Sequence, residues 1–313
     1  MSKPVIAIDM GGTKIKIGIV QGDNILSSIS IDADSGNGLR KKLPLIQKNI
    51  EDLLVREKLS LDEIAGLGIA SPGIVDSIQK RILSIDKKFE DAPETDLENW
   101  CLHTFNLPFF MENDARSALL GEWKYGNAKN CDHAVLMTLG TGVGSAAIIE
   151  GQLLRGKHFT AGILGGHSII NYKGNSCNCG GRGCVETEAS TWNLETIAKS
   201  NKVFAESRLA KASVIDYELV FQLAQEGDEA ALQIRNQSLQ AWSACAINLI
   251  HAYDPEILVL TGGILASSSQ IIPYIRQQTE AHAWTPWGKV HIEKGKFPGT
   301  AALLGIAHLT GNS

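Results

Sequence analysis

Two spacings of apolar residues alternate along this chain. Val5–Asp9 opens as a short apolar run of the kind that buries both faces of a strand, and Ile15, Ile17 and Ile19 then mark one face of a second strand. Gly11-Gly12 sits between them, and Gly22-Asp23 turns the chain into a third run, Ile25–Ile31. Leu39, Leu43, Ile46, Ile50, Leu53 and Leu54 recur at helical spacing as one apolar stripe. Ser60 and Glu63 have the spacing of a capping box before a short helical turn, and Leu67–Ala70 reads as a strand closed by Pro72-Gly73. Residues 84–99 are polar and aperiodic and read as a loop.

Asn113-Asp114 precedes Ala115–Trp123, which are good helix formers. Ala134–Leu139 and Ser145–Ile149 read as strands around Gly140-Thr141-Gly142-Val143-Gly144. Residues 174–184 are rich in Gly, Asn and Cys and read as irregular, whereas much of 192–252 reads as helix. The last helical stripe (Leu239, Trp242, Ala246, Leu249, Ile250, Tyr253) stops at Asp254-Pro255. Ile257–Leu260 is a strand running into Thr261-Gly262-Gly263. Strands and helices alternate throughout, so the expected class is α/β.

An internal echo adds an architecture to that class. Sliding the chain by ~129 residues lays Ile8–Ile25 over Met137–Leu154, with Gly11 on Gly140, Ile19 on Ile148, Val20 on Ile149 and Gly22 on Gly151. Both segments read strand, glycine hairpin, strand, tight turn. Either the match is chance, or two similar domains each offer a hairpin to a shared cleft.

With 313 residues, 44% hydrophobic and 20% charged, the chain has material for about two domains and resembles neither a disordered nor a collagen-like sequence. A net charge of −5 provides no basic field for nucleic acid or anionic lipid. No apolar stretch approaches a membrane span, and the run after Met1 is shorter than a secretory h-region. The expectation is a soluble cytoplasmic protein whose thiols stay reduced. Cys101, Cys131 and Cys245 are scattered and expected in the core.

Four constellations carry candidate chemistry. In Asp9-Met10-Gly11-Gly12-Thr13-Lys14, the glycines let backbone N–H groups approach an anion, Thr13 adds a hydroxyl, and Asp9 can hold Mg²⁺ through water. The alternative is a tight hairpin needing positive φ at glycine. Gly140-Thr141-Gly142-Val143-Gly144 reads as a second phosphate-sized cradle of four amides around a hydroxyl. Asp114, ahead of a helix, is either its N-cap or a general base for an attacking hydroxyl. Cys177, Cys179 and Cys184, with His167 upstream, match the Cys₃His set of a closed, structural zinc site.

Together these stretches resemble the ROK group of bacterial sugar kinases, within the actin-like, hexokinase-like ATPases. The matching segments are DMGGTK (9–14), SPGIVD (71–76), ENDARSALLGE (112–122), TLGTGVG (138–144), CNCGGRGCVE (177–186) and DPEILVLTGGI (254–264), with a family-like 300–305. The resemblance implies two lobes with a duplicated ribonuclease-H-like core around a cleft. Residues 1–114 would form a smaller lobe completed by a C-terminal helix at about 300–313, and residues 115–299 a larger lobe carrying the zinc loop 167–184. Gly11, Gly12, Thr13, Lys14, Gly140, Thr141 and Gly142 would hold the phosphates of ATP, with Asp9 near Mg²⁺ and Gly262 and Gly263 beside the adenosine. Ser71, Gly73, Asn113, Asp114, His167 and Glu186 would bind the sugar, and Asp114 would deprotonate the hydroxyl that attacks the γ-phosphate, in this family usually a 6-OH. His167 would serve zinc with one ring nitrogen and the sugar with the other. Family members are often homodimers, and a homodimer is expected.

Two positions depart from the family pattern. Where the family carries a sugar-binding Glu three residues before the zinc histidine, this chain has Leu164, with no acid between Thr160 and Val185. Ser84-Ile85-Asp86-Lys87 replaces a Pro-Asn turn. A leucine cannot accept a hydroxyl hydrogen bond, so the expected substrate is a deoxy, epimeric or substituted hexose. A glucokinase of ordinary specificity, with Asp86 supplying the contact, is the alternative. A repressor of the same group would need a helix-turn-helix ahead of Asp9, for which the sequence leaves no room. A non-catalytic sugar sensor fits poorly with the retained Asp9, Asp114 and both hairpins.

Overall fold

The computed structural model describes residues 3–311. The chain divides into two compact units. The first contains the chain up to Asn130, Leu153–Ala161 and the stretch from Gly299 onward; the second contains Cys131–Gln152 and Gly162–Pro298. The first division therefore falls after Asn130, not at Asp114.

The first unit is built on β1 (Val5–Met10), β2 (Lys14–Gln21) and β3 (Asn24–Asp32), joined as an antiparallel meander. After α1 (Leu43–Glu57) the chain returns as β4 (Leu67–Ser71) parallel to β1. A small hairpin, β5 (Ile74–Asp76) and β6 (Arg81–Ser84), leads to α2 (Leu97–Phe105), β7 (Phe109–Asn113) parallel to β4, and α3 (Asp114–Tyr125). The sheet order is β3-β2-β1-β4-β7. Ile15, Ile17 and Ile19 are fully buried and join Ile6, Ile8 and the α1 stripe in one core, as their periods demand. The expected loop 84–99 is interrupted by α2, whose N-cap Asp96 accepts from the Asn99 N–H at 2.9 Å. Ser60 and Glu63 do form the capping box, the Ser60 N–H donating to the glutamate at 2.9 Å.

The second unit repeats the plan. Strands β8 (Ala134–Leu139), β9 (Val143–Ile149) and β10 (Gln152–Leu153) form the meander. Helices α4 (Val185–Glu188), α5 (Leu194–Ser200), α6 (Tyr217–Gln225) and α7 (Glu229–Tyr253) follow. Then β11 (Ile257–Thr261), α8 (Ser268–His282) and β12 (His291–Lys294) complete the order β10-β9-β8-β11-β12, with β8, β11 and β12 parallel. Asp254, at φ 44°, ends α7 before Pro255. The last helix, α9 (Ala301–Gly311), packs on α3, β1 and β4 of the first unit.

The two sheets share strand order and direction, yet the slide of ~129 residues is in phase for one strand only. Met10 pairs with Ile15 across Gly11–Lys14, whereas Leu139 pairs with Val143 across the shorter Gly140–Gly142. Ile8 and Met137 are equivalent, but their partners are Ile17 and Ser145, one residue off the slide. A one-residue slip flips a strand's faces, so the side-chain matches at Ile19 and Val20 are not equivalences; the repeated sheet order is.

Candidate active site

In the first unit, Asp9 lies near the end of β1, and Asp114 opens α3 directly after β7. The N-cap of α3 is Asn113, not Asp114: its Oδ1 accepts from the Arg116 N–H at 3.1 Å. The Asn113 amide donates to Gly73 O at 3.0 Å and to Asp114 Oδ1 at 3.1 Å, and the Ala115 N–H donates to the same Oδ1 at 2.8 Å. One carboxylate oxygen of Asp114 is thus held and the other is left for a ligand. Burial raises the pKa of Asp114 above the ordinary aspartate value, opposed by the Ala115 N–H and the Lys88 charge. Asp9 is pushed up to about 6, first by burial and next by the charge of Asp114, against the pull of Lys16. A buried carboxylate whose proton affinity a neighbouring carboxylate raises further is a place where a divalent cation would relieve the charge. Ser71, fully buried, pairs in register with Asn113, so Ser71, Gly73, Asn113, Asp114 and Asp9 are gathered at one end of the sheet.

Neither Gly11 nor Gly12 has positive φ, and the steric need for glycine falls at Gly11, where a Cβ would meet backbone. A Cβ on Gly11 would lie 2.6 Å from Lys14 O, and one on Gly12 would meet the Lys88 side chain. Lys14 turns away to Asp32, Nζ to Oδ1 2.5 Å, on the surface. The cation over this hairpin is Lys88, which lies in the polar, aperiodic stretch 84–99 and belongs to none of the four constellations. Its one visible trace was the doubled Lys87-Lys88.

A buried network backs this end of the sheet. Glu112, fully buried, accepts from Arg155 Nε at 2.7 Å, from the Asn113 N–H at 2.9 Å and from Arg116 at 3.4 Å. Arg116, also fully buried, donates to the carbonyls of Leu154, Arg155, Phe159 and Ala161 at 2.8–3.3 Å. The guanidinium's donors are therefore spent on holding Leu153–Ala161 beneath Asn113-Asp114.

The second unit holds the remaining predicted residues. The Gly140 and Thr141 carbonyls accept from the N–H groups of Thr191 and Trp192 at 3.1 and 3.0 Å. The N–H groups of Gly140, Val143 and Gly144 are bonded internally, to Gly142 O, Glu186 and Thr138 Oγ1. The expected four-amide cradle narrows to its tip, Thr141 and Gly142. Glu186 uses both oxygens, one on the Val143 N–H at 3.1 Å and one on Trp192 Nε1 at 3.0 Å, and so braces the hairpin. Gly262, at φ 105°, brings the Thr261–Gly263 turn against Leu139 O, beside the same hairpin.

His167, Cys177, Cys179 and Cys184 converge with all ligand atoms within 4.8 Å of one another. Cys177 Sγ to His167 Nδ1 is 3.6 Å and Cys179 Sγ to Cys184 Sγ is 3.7 Å. A tetrahedron with metal–sulfur bonds of ~2.3 Å and a metal–nitrogen bond of ~2.0 Å has edges of about 3.5–3.8 Å, so the set fits such an ion. Burial, then the neighbouring thiols, push Cys184 up to about 12, and a metal cation is what would let all three ionise together. Nδ1 faces the sulfurs, leaving Nε2 of His167 for another partner. Of the three scattered cysteines, Cys101 and Cys245 are buried, but Cys131 is only partly so, in the loop before β8. Leu164, just ahead of this cluster, is 45% exposed, an apolar side chain facing outward.

This combination of repeated sheets, glycine hairpins and a Cys₃His cluster has a family. The ROK family profile matches residues 5–312. The chain belongs to the ROK family. It is 30% identical over 312 residues to a glucokinase of Thermotoga maritima, covering 97% of this chain and 96% of that one. It is also 27% identical over 297 residues to a xylose repressor of Bacillus spizizenii, covering 91% of this chain and 74% of the repressor. Among solved structures, a ROK family glucokinase from Streptomyces griseus in complex with glucose and AMPPNP superposes with a TM-score of 0.80 at 26% identity, over 98% of each chain. The ROK fold, two actin-like α/β units, is thereby established for this protein. Among the described residues, no helix is long and apolar enough to cross a membrane.

Proposed function

We propose that this protein is an ATP-dependent sugar kinase in which Asp114 is the general base. The observation that carries the reading is the pairing of Asp114 with Asp9 beside the Gly11-Gly12 hairpin, one oxygen of Asp114 anchored and its proton affinity raised by burial. A base held in place with a raised pKa suits removal of a proton from an attacking hydroxyl. Phosphoryl transfer asks little more of the protein than alignment and charge stabilisation. Both glycine hairpins are assigned to the ATP phosphates and the Thr261–Gly263 turn to the adenosine. Asp9 would hold Mg²⁺, which neutralises phosphate charge when bound. The Cys₃His set would hold zinc as a structural ion, fixing the tautomer and direction of the His167 ring so that Nε2 addresses the sugar. Kinase relatives that match over nearly the whole chain support the reading.

The acceptor is proposed to be a deoxy, epimeric or substituted hexose, phosphorylated at its 6-OH. Leu164 offers no acceptor, and an unpaired buried hydroxyl costs ~1–3 kcal/mol, a handicap of roughly 5- to 150-fold for a sugar that needs a partner there. A panel of hexoses in an ADP-release assay tests both levels. A substituted or deoxy hexose should outperform glucose. Glucose as the clear best substrate would overturn the altered specificity, and no sugar-dependent ADP release at all would overturn the kinase reading.

A further inference from the structure

One cation stands over the first hairpin without an assigned task. Lys88 precedes Phe89, which is fully buried, and the Phe89 N–H donates to Ser35 O at 2.7 Å. The Ser35 hydroxyl in turn donates to Gly12 O at 2.9 Å. This chain of contacts ties the backbone beside Lys88 to the hairpin. Lys87 and Phe89 both adopt left-handed backbone, at φ 53° and 46°, a local conformation disfavoured for such residues and sustained here by the buried Phe89 ring. The Lys88 stem folds over Gly12, its Nζ 2.9 Å from where a Cβ on that glycine would stand. Its charge is felt at Asp114. Among the described residues no ion pair or hydrogen bond engages the ammonium.

A half-buried ammonium over the phosphate hairpin, felt at Asp114 yet held by no ion pair or hydrogen bond among the described residues, is placed for a ligand that brings negative charge. Resting on the kinase reading, we infer that Lys88 is a catalytic residue that contacts the γ-phosphoryl group of ATP and stabilises the charge on it during transfer. In that step the sugar oxygen forms a bond to the γ-phosphorus and the bond from that phosphorus to the β,γ-bridging oxygen breaks. The hydroxyl proton passes to Asp114, and ADP leaves with the bond electrons. Lys88 keeps its proton throughout and acts as a fixed charge. The glycine at position 12 is thereby explained: any side chain there would displace the lysine.

Lys88→Met keeps the length and removes the charge; Lys88→Gln is the second variant should the first fold poorly, and Lys88→Arg restores charge. Calorimetric titration with Mg·AMPPNP and with Mg·ADP is read alongside kcat on the best sugar of the panel. Loss of one such charge lowers kcat by about 10²–10³-fold. AMPPNP affinity should fall at least about fivefold while ADP affinity holds within twofold, with Lys88→Arg recovering part of both losses. An unchanged ratio of AMPPNP to ADP affinity, or kcat within about threefold of the parent, overturns the inference, as does an equal loss for both nucleotides. If the parent protein turns over no sugar, the kinase reading fails by that result, while the AMPPNP-to-ADP ratio still reports on Lys88.

Discussion

Asp114→Asn separates chemistry from architecture at a single atom. The asparagine keeps an oxygen where Oδ1 accepts from Ala115 and Asn113, at 2.8 and 3.1 Å, so the start of α3 is unchanged. What disappears is the ability to take a proton and a carboxylate charge that burial disfavours. Loss of a positioned general base costs about 10²–10⁴ in rate, or roughly 3–5 kcal/mol of transition-state stabilisation. Stability moves the other way or not at all, because the substituted side chain no longer carries a charge into a partly desolvated place. Asp9 also loses the charge of Asp114 that raises it. The assay is sugar-dependent ADP release beside a thermal melt at pH 7.5. More than about a tenth of the parent kcat would refute the base assignment. A melting temperature lowered by several degrees would refute the claim that the loss is chemical.

Three further outcomes follow from the geometry. Arg116→Met leaves Glu112 short of a buried partner and takes a donor from each of four carbonyls, of which Arg155 O keeps the Ala161 N–H. This should cost about 3–5 kcal/mol and lower the melting temperature by roughly 6–20 °C; cleavage within 153–161 in limited proteolysis should accelerate, and a shift under 2 °C would refute the network's importance. Asp9, raised from 3.8 to about 6, binds its proton more tightly folded than unfolded, so its contribution is greatest at low pH and is lost as pH climbs from 3.8 through 6. Asp9→Asn should therefore stabilise the ligand-free protein above pH 7, by at most about 3 kcal/mol, and do little at pH 4; melts at both pH values check it. The purified protein should carry one zinc per chain by elemental analysis, Cys184→Ser should lose it, and chelation should lower the melting temperature of the parent but not of the variant.

Much of this molecule was legible along the chain. The strands at Val5, Ile15 and Ile257, the α1 stripe, the capping box at Ser60 and the glycine hairpins depend on a few consecutive residues, whose period or conformational freedom is written locally. The Cys₃His set was legible for a related reason: three thiols crowded into eight residues, with a histidine upstream, match the ligand set of a metal site. Helix α2 was missed because its start rests on one capping aspartate within a polar stretch. The echo at ~129 residues was visible, but its phase was not, since hairpin length is set by cross-strand pairing.

Tertiary contact alone decided which charge faces which. Lys14 lies in the glycine motif yet pairs with Asp32, while Lys88, far off in sequence, covers Gly12 because Phe89 is buried and bonded to Ser35. Asn113 rather than Asp114 caps α3, which leaves the aspartate an oxygen to spare. Glu186 spends one oxygen on the second hairpin and the other on Trp192, and Arg116 spends its donors on a segment almost forty residues away. Long charged side chains reach across several elements, and their partners are chosen by burial and by unmet hydrogen-bond demand in the folded chain. Those quantities do not exist until distant segments meet, whereas a strand's alternation and a glycine's missing Cβ are present in the unfolded chain.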